Sequence, residues 1–320
     1  MSYTILLLET VADEAMRILT QASDITVITG FDKNALQHAI QNDKIDAIIT
    51  RGKGQVRSEL IDQLPHLKII ARCGVGLDNI DVTEATKRGV KVVNAPNSNA
   101  NTIAEHTIAL LLILQRNLYQ SIRMVKEDRW QERGNYKGDE IYGKTLGILG
   151  MGNIGKKVAR IANAMGMKVI YWSAQKEDVP YSFESFESVL KTADCISLHL
   201  PLTPKTDHLI NKEALRLMKP TALIINTARG RIIDQEALNS ALKENKIGGF
   251  AADVLATEPP DLDDAITKHK NTYITPHIGS LTSTTYTQMC TMTIENTIAI
   301  LRNEEPIKNC IFNQLALRDS

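Results

Sequence analysis

A glycine-rich turn between an apolar strand and a helix constrains this chain more than any other feature. The run Lys144–Gly155, KTLGILGMGNIG, places glycines at 150, 152 and 155. They follow the strand-like stretch Thr145–Leu149 and open the helical stretch Asn153–Met165. The spacing G-x-G-x-x-G is weak by itself and gains its force from the order strand, loop, helix. Gly150 permits the tight turn, Gly152 lets backbone approach a pyrophosphate, and Gly155 lets the helix pack on the strand. The N–H groups of the helix start then hold the phosphate charge, with Asn153 and Ile154 among the contacts. A dinucleotide is the expected ligand.

When that dinucleotide is NAD, the next strand normally ends on an acidic residue that accepts hydrogen bonds from the ribose. Here the strand Lys168–Trp172 is followed by Ser173, Ala174, Gln175 and Lys176. A serine does not repel a 2′-phosphate as a carboxylate does, and Lys176 offers it a cation. No arginine stands in the expected place, so NAD and NADP both remain open.

The rest of the chain alternates in the same manner. Thr4–Glu9, Ala47–Thr50, Lys68–Arg72 and Lys91–Asn94 read as strands, with helical patterns at Asp13–Gln21, Asp32–Asn42 and Asp81–Arg88. The cluster Asn94–Asn101, NAPNSNAN, breaks the series. A single long helix is expected from Ile103 to Glu127, and the stretch Arg129–Lys144 is polar. A second series follows, with strands at Thr145–Leu149, Lys168–Trp172, Cys195–Leu198, Ala222–Asn226, Gly249–Asp253 and Tyr273–Thr275 and a final helix over Ser283–Arg302. Several strands are apolar throughout, as parallel strands covered on both faces are. The expected class is therefore α/β, with doubly wound parallel sheets. At 320 residues the chain exceeds what one core usually supports, so two domains are expected.

Lysine plus arginine equals aspartate plus glutamate at 37 each, so no bulk field favours nucleic acid or a membrane surface, and neither partner is expected. Cys73, Cys195, Cys290 and Cys310 form no C-x-x-C pair, and Cys73 and Cys195 read as buried free thiols. No metal-ligand spacing appears. The opening MSYTILLLET lacks a basic lead and a cleavage site, and reads as a first strand rather than a signal peptide. The apolar run Leu110–Leu114 is too short to span a membrane. A cytoplasmic location is expected.

Three later segments carry a family resemblance. Ser197–His208 (SLHLPLTPKTDH), Ile225–Ile233 (INTARGRII) and Thr275–Ser280 (TPHIGS) resemble signatures of the D-isomer-specific 2-hydroxyacid dehydrogenases. Asp253–Pro259 (DVLATEP) fills the acidic segment between them, and Arg72–Asp81 (RCGVGLDNID) with Val93–His106 extends the match toward the amino terminus. Those two amino-terminal segments look most like the 3-phosphoglycerate dehydrogenases, here expected in a short form without regulatory domains. Ser173 is instead similar to its counterpart in glyoxylate and hydroxypyruvate reductases, several of which favour NADPH. The resemblance implies two Rossmann-like domains with the active site in the cleft between them. Residues 1–98 plus 285–320 would form a discontinuous substrate-binding domain, and 99–284 the nicotinamide dinucleotide-binding domain. It further implies a homodimer, with the crossover helix contributing to the interface.

Interconversion of a 2-oxo acid and a 2-hydroxy acid requires a cation for the carboxylate and carbonyl, a proton donor, and a carboxylate that orients the donor. Arg229, just after a strand, offers the planar guanidinium. His277 is the acid and base, since imidazole titrates near neutrality. Glu258 is the orienting carboxylate. Singly, each has an ordinary explanation: a solvated arginine, a loop glutamate, a buried histidine. Their coincidence behind a phosphate loop carries the assignment, and the family's Arg, Glu and His fall on the same positions.

The remaining expected cofactor contacts are Ser173, His199, Leu200, Pro201, Thr206, Thr227, Ala228, Asp253 and Gly279. Among them the resemblance gives Asp253 to the nicotinamide carboxamide. Gly74, Val75 and Gly76 offer backbone N–H donors to the substrate carboxylate. Arg51 reads equally as a contact to a distal anionic group such as a phosphate and as a solvated charge. His38, His66, His208 and His269 read as surface or structural, and His106 as packing or support for the site.

The expected function is that of a D-2-hydroxyacid dehydrogenase, with a slight lean to 3-phosphoglycerate and with glyoxylate or hydroxypyruvate reduction as the alternative. Formate oxidation is a weaker rival. An alternative of another class is an NAD(H)-sensing, corepressor-like interaction protein, which would keep the same three residues. Turnover separates the two, and no low-complexity segment favours the sensor.

Overall fold

The computed structural model describes residues 2–261 and 263–317. The chain divides into two units, Met1–Asn99 with Leu281–Ser320, and Ala100–Ser280. In the first, strands β1 (Tyr3–Leu7), β2 (Ile25–Thr29), β3 (Ala47–Thr50), β4 (Ile69–Arg72) and β5 (Lys91–Val93) form a sheet of order β2-β1-β3-β4-β5. Every pairing is parallel. One face packs Ile5, Leu7, Ile49 and Ile69 with Cys290 and Ile294 of the Ser283–Leu301 helix, and the other packs Leu6, Ile48, Ile70 and Val92. Burial on both faces is the physical reason for the unbroken apolar runs in β1, β3 and β4.

β2 went unrecognised in the sequence because it lies at the sheet edge, where none of its residues is fully buried. β1 stops at Leu7, two residues short of the expected end, and leaves Glu9 outside the sheet.

The second unit contains β6 (Thr145–Leu149), β7 (Lys168–Trp172), β8 (Ser182–Phe183), β9 (Cys195–Leu198), β10 (Leu223–Asn226), β11 (Gly249–Ala252) and β12 (Thr272–Ile274). Their order is β12-β11-β10-β9-β6-β7-β8, again parallel throughout. The order reverses between β6 and β9, and such a switch point is where doubly wound sheets take their ligands. Gly150, His199, Thr227, Asp253 and Thr275 each come immediately after the carboxyl end of one of these strands.

The expected helix over 103–127 is two helices, Ala100–Gln115 and Leu118–Lys126. The break is at Asn117, whose φ of 47° is left-handed, a conformation that asparagine tolerates better than most residues. The Tyr273 hydroxyl donates to Asn117 Oδ1 at 3.1 Å and holds the break. The second helix buries none of its residues.

All four cysteines are free and buried. Among the described residues no cluster is suited to a metal ion, and no helix is long and apolar enough to cross a membrane.

Candidate active site

The phosphate loop has the shape its glycines allow. Gly150 has a φ of 102°, and a Cβ there would lie 2.5 Å from the carbonyl oxygen of His199. A Cβ on Gly155 would lie 2.2 Å from the Gly150 oxygen, so helix and loop touch through backbone. Gly152 caps the Asn153–Ala164 helix without a side-chain acceptor, and a Cβ there would meet nothing within 4 Å. Backbone at Gly152 is thus open to close approach by an anion at the start of that helix, as a pyrophosphate requires.

Beyond β7, the Ser173 hydroxyl donates to the Gln175 carbonyl and closes a tight turn. Lys176 is exposed, while Lys156 is paired with Glu177 at 2.7 Å.

Leu200 is nearly buried beside Gly150. His199 shares a 2.8 Å hydrogen bond between Nε2 and Ser197 Oγ, while its buried Nδ1 has no partner among the described residues. Burial pushes its pKa down to about 3, so the ring is neutral and unsuited to proton transfer at ordinary pH. An unpartnered buried nitrogen beside the phosphate loop fits a site that a polar ligand completes. The Thr206 hydroxyl is spent on its own loop, donating to the Pro201 carbonyl at 2.6 Å.

The turn after β10 is set by buried Asn226. Its Oδ1 accepts from Ala228 N–H at 3.0 Å, and its Nδ2 donates to the Arg229 carbonyl at 3.0 Å. Thr227 shares a 2.8 Å hydroxyl contact with Thr107. Gly230 then passes so close to the Leu255 backbone that a Cβ would lie 1.9 Å from its carbonyl carbon. Leu255 N–H in turn donates to Glu258 Oε1 at 3.0 Å. The loops bearing Arg229 and Glu258 are therefore keyed together through Gly230, which the sequence reading did not single out.

His277 Nδ1 lies 2.7 Å from Glu258 Oε2, and Nε2 has no partner among the described residues. The hydrogen bond to Glu258 raises the His277 pKa above its ordinary value, against the opposing effect of burial. Burial also resists ionisation of Glu258, but the bonds from His277 and the Leu255 N–H outweigh it and hold this carboxyl below its ordinary range. The pair thus favours imidazolium beside carboxylate.

The loop carrying His277 hangs from Asp253, which is buried. Its carboxylate accepts from the Thr275 hydroxyl at 2.6 Å and from the N–H groups of Ile278 at 2.9 Å and Gly279 at 2.7 Å. His106 Nε2 lies 2.9 Å from Thr275 Oγ1 and 3.5 Å from Asp253 Oδ1. Most of the acceptor capacity of Asp253 is thereby used within the protein. Its anchoring of the loop, and the part His106 plays in it, were not visible in the sequence.

In the first unit the carbonyls of Gly74, Val75 and Gly76 accept from Ala95 N–H (2.9 Å), Asn94 Nδ2 (2.8 Å) and the Arg72 guanidinium. The N–H groups of Val75 and Gly76 have no acceptor among the described residues. Arg51 donates from Nη1 to the Tyr286 hydroxyl at 3.0 Å. His38, His66 and His208 are exposed, and His269 Nδ1 accepts from Asn271 N–H at 3.2 Å.

A switch-point sheet with a glycine loop after its first strand defines a dinucleotide-binding protein of the Rossmann class. Residues 108–279 match the family described as D-isomer specific 2-hydroxyacid dehydrogenase, NAD binding domain. The chain is 39% identical over 306 residues to a D-3-phosphoglycerate dehydrogenase of Methanocaldococcus jannaschii, covering 94% of this chain and 58% of that protein. It is 40% identical over 269 residues to a glyoxylate reductase of Korarchaeum cryptofilum, covering 82% of this chain and 81% of the other. A solved NADPH-dependent glyoxylate/hydroxypyruvate reductase of Sinorhizobium meliloti, in complex with NADP and malonate, superposes with a TM-score of 0.86 at 27% identity over 96% of each chain. The chain belongs to the D-isomer specific 2-hydroxyacid dehydrogenase family, whose cofactor is NAD or NADP.

Proposed function

We propose that the chain catalyses reversible hydride transfer between a nicotinamide cofactor and a small 2-oxo acid, giving the D-2-hydroxy acid. The 2.7 Å contact of His277 with Glu258 carries this reading, because it leaves Nε2 as the one ring nitrogen able to exchange a proton with substrate. When bound, the nicotinamide supplies or accepts the hydride at C2. His277 gives a proton to the developing alkoxide and recovers it in oxidation, while Glu258 fixes the ring and stabilises its charged form. Arg229 binds the carboxylate and polarises the carbonyl by paired hydrogen bonds. Val75 and Gly76 add backbone donors to the carboxylate. In this reading the unit Ala100–Ser280 holds the dinucleotide, and the other unit contributes the substrate contacts.

For the substrate, the amino-terminal segments lean toward 3-phosphoglycerate. Glyoxylate or hydroxypyruvate is the second reading, favoured by Ser173, whose place at the end of β7 brings no carboxylate against a 2′-phosphate. The experiment is to follow NADH and NADPH oxidation separately with 3-phosphohydroxypyruvate, hydroxypyruvate, glyoxylate and pyruvate. Turnover is expected with at least one 2-oxo acid. Cofactor binding without turnover on any of them would replace the enzyme by the NAD(H)-sensing reading.

A second copy of the chain is the proposed partner. Leu118, Ile122 and Val125 form an exposed apolar stripe on a helix with no buried residue, and Tyr119 and Trp130 are exposed near it. A stripe of this kind meets its own copy across a twofold axis. Light scattering should give a dimer mass for the native protein and a monomer for Ile122→Asp; an unchanged dimer in the variant would move the interface elsewhere. The four buried free thiols also suit the proposed cytoplasmic location.

A further inference from the structure

Glu9 has no part in the site described above, yet its carboxylate is heavily bonded. Oε1 accepts from the N–H groups of Arg51 at 2.9 Å, Gly52 at 2.7 Å and Gly54 at 2.9 Å, and from the Thr50 hydroxyl at 3.1 Å. Converging N–H groups of this kind make an anion cradle, which elsewhere receives a ligand's carboxylate or phosphate. Here an internal carboxylate fills it. The side chain is only 10% exposed, and burial resists its ionisation; the donors outweigh that effect and hold it ionised.

The other oxygen, Oε2, lies 3.8 Å from Arg51 Nε. Arg51 is fixed from further sides as well. Its carbonyl accepts from Arg72 Nε at 2.7 Å, and its guanidinium carbon lies 5.2 Å from the Tyr286 ring centroid. The Tyr286 hydroxyl that meets Nη1 donates onward to the Thr10 carbonyl at 3.2 Å. Arg51 therefore projects from a loop that Glu9 shapes, with the charge of Glu9 set against its own.

We infer that Glu9 is a specificity-determining residue, which fixes the Thr50–Gly54 loop and counter-charges Arg51 so that acceptors without a distal anionic group are preferred. The inference rests on the proposed function, and on the first of the two sequence readings of Arg51, in which it meets the far end of the substrate. A phosphate dianion placed beside Arg51 also comes near Glu9, and like charges brought together without water are strongly disfavoured. A hydrogen or a hydroxymethyl group at the same end meets no such repulsion. Against the lean of the amino-terminal segments toward 3-phosphoglycerate, the favoured class is thus the unphosphorylated 2-oxo acids, the second of the two substrate readings, with Arg51 acting as a polar wall rather than a phosphate receptor.

The test compares hydroxypyruvate with 3-phosphohydroxypyruvate, which differ only in the distal phosphate. Wild-type kcat/KM should favour hydroxypyruvate. Glu9→Gln keeps an acceptor for the loop and removes the charge, and should move the ratio toward the phosphorylated acceptor by about tenfold, mainly through KM. Glu9→Asp, which restores the charge, should return the ratio toward wild type. A folded Glu9→Gln protein with an unchanged ratio overturns the inference. Should that variant not fold, Arg51→Gln serves instead: with Glu9 left uncompensated, the ratio should move further against the phosphorylated acceptor, and no movement overturns the inference. If the wild type reduces no 2-oxo acid, the proposed reaction fails, and calorimetric titration with 3-phosphoglycerate still decides. Tighter binding to Glu9→Gln than to wild type supports the role of Glu9, and equal affinity sinks it.

Discussion

Replacing His277 with asparagine is expected to slow carbonyl reduction by about 10²- to 10⁴-fold, the range that a placed general acid contributes. Affinity for the reduced cofactor, measured by fluorescence titration, should change little, because the ring's bonded contact is to Glu258. Equal losses in turnover and affinity would remove His277 from proton transfer. The pH dependence gives a second check. In the proposed reaction, reduction needs the protonated ring, whose pKa is raised chiefly by the hydrogen bond to Glu258. The reduction rate should therefore persist above the ordinary imidazole pKa and fall as pH rises through the raised value. Oxidation needs the neutral ring and should increase over the same interval. Glu258→Gln removes the largest cause of the shift, so both limbs should move to lower pH. Limbs that stay in place would assign the shift to some other group.

Gly230→Ala is expected to disable the site without touching any reacting atom. Its Cβ would lie 1.9 Å from the Leu255 carbonyl carbon, 2.1 Å from that oxygen and 2.3 Å from Ala256 N. All three atoms are backbone, so no rotamer change relieves the overlap, and the two loops must separate. Arg229 precedes this position directly, and the Leu255 N–H holds Glu258. A displacement of about 1 Å at catalytic groups costs on the order of 10²-fold in rate, and overpacking adds about 1–3 kcal/mol of destabilisation. Steady-state kinetics and a melting curve should both show the change. Wild-type kinetics in the variant would mean that Arg229 and Glu258 are positioned independently.

Much of this was legible in the sequence, for identifiable reasons. The glycines at 150, 152 and 155 declare themselves because the strand, turn and helix around them are contiguous. Glu258 and His277, whose pairing the structure shows, and Arg229, proposed with them for catalysis, stand in segments whose residue types the proposed chemistry would demand. The continuous apolar strands follow from burial on both faces of each sheet. What stayed hidden depends on partners far along the chain. Asp253 reaches residues 22 to 26 positions away, and Glu9 reaches 41 to 45 positions. Neither set of bonds leaves a local pattern. The break at Asn117 was missed because the apolar pattern runs across it, and one left-handed residue turns the chain with no proline or glycine to mark the place.

His277 is one of the non-glycine residues with positive φ, at 54°. The cost of that backbone is borne by Asp253, which draws in the N–H groups of Ile278 and Gly279 just beyond it. Histidine and asparagine enter this conformation more readily than most residues, and branched or bulky side chains seldom do. A sequence drifting toward a lysine, tyrosine or glutamate at position 277 would disturb the turn before it gained any new reactivity. The backbone would thus work as a ratchet on the proposed chemistry: change at this site would begin at Asp253 and its neighbours, with His277 among the last to follow.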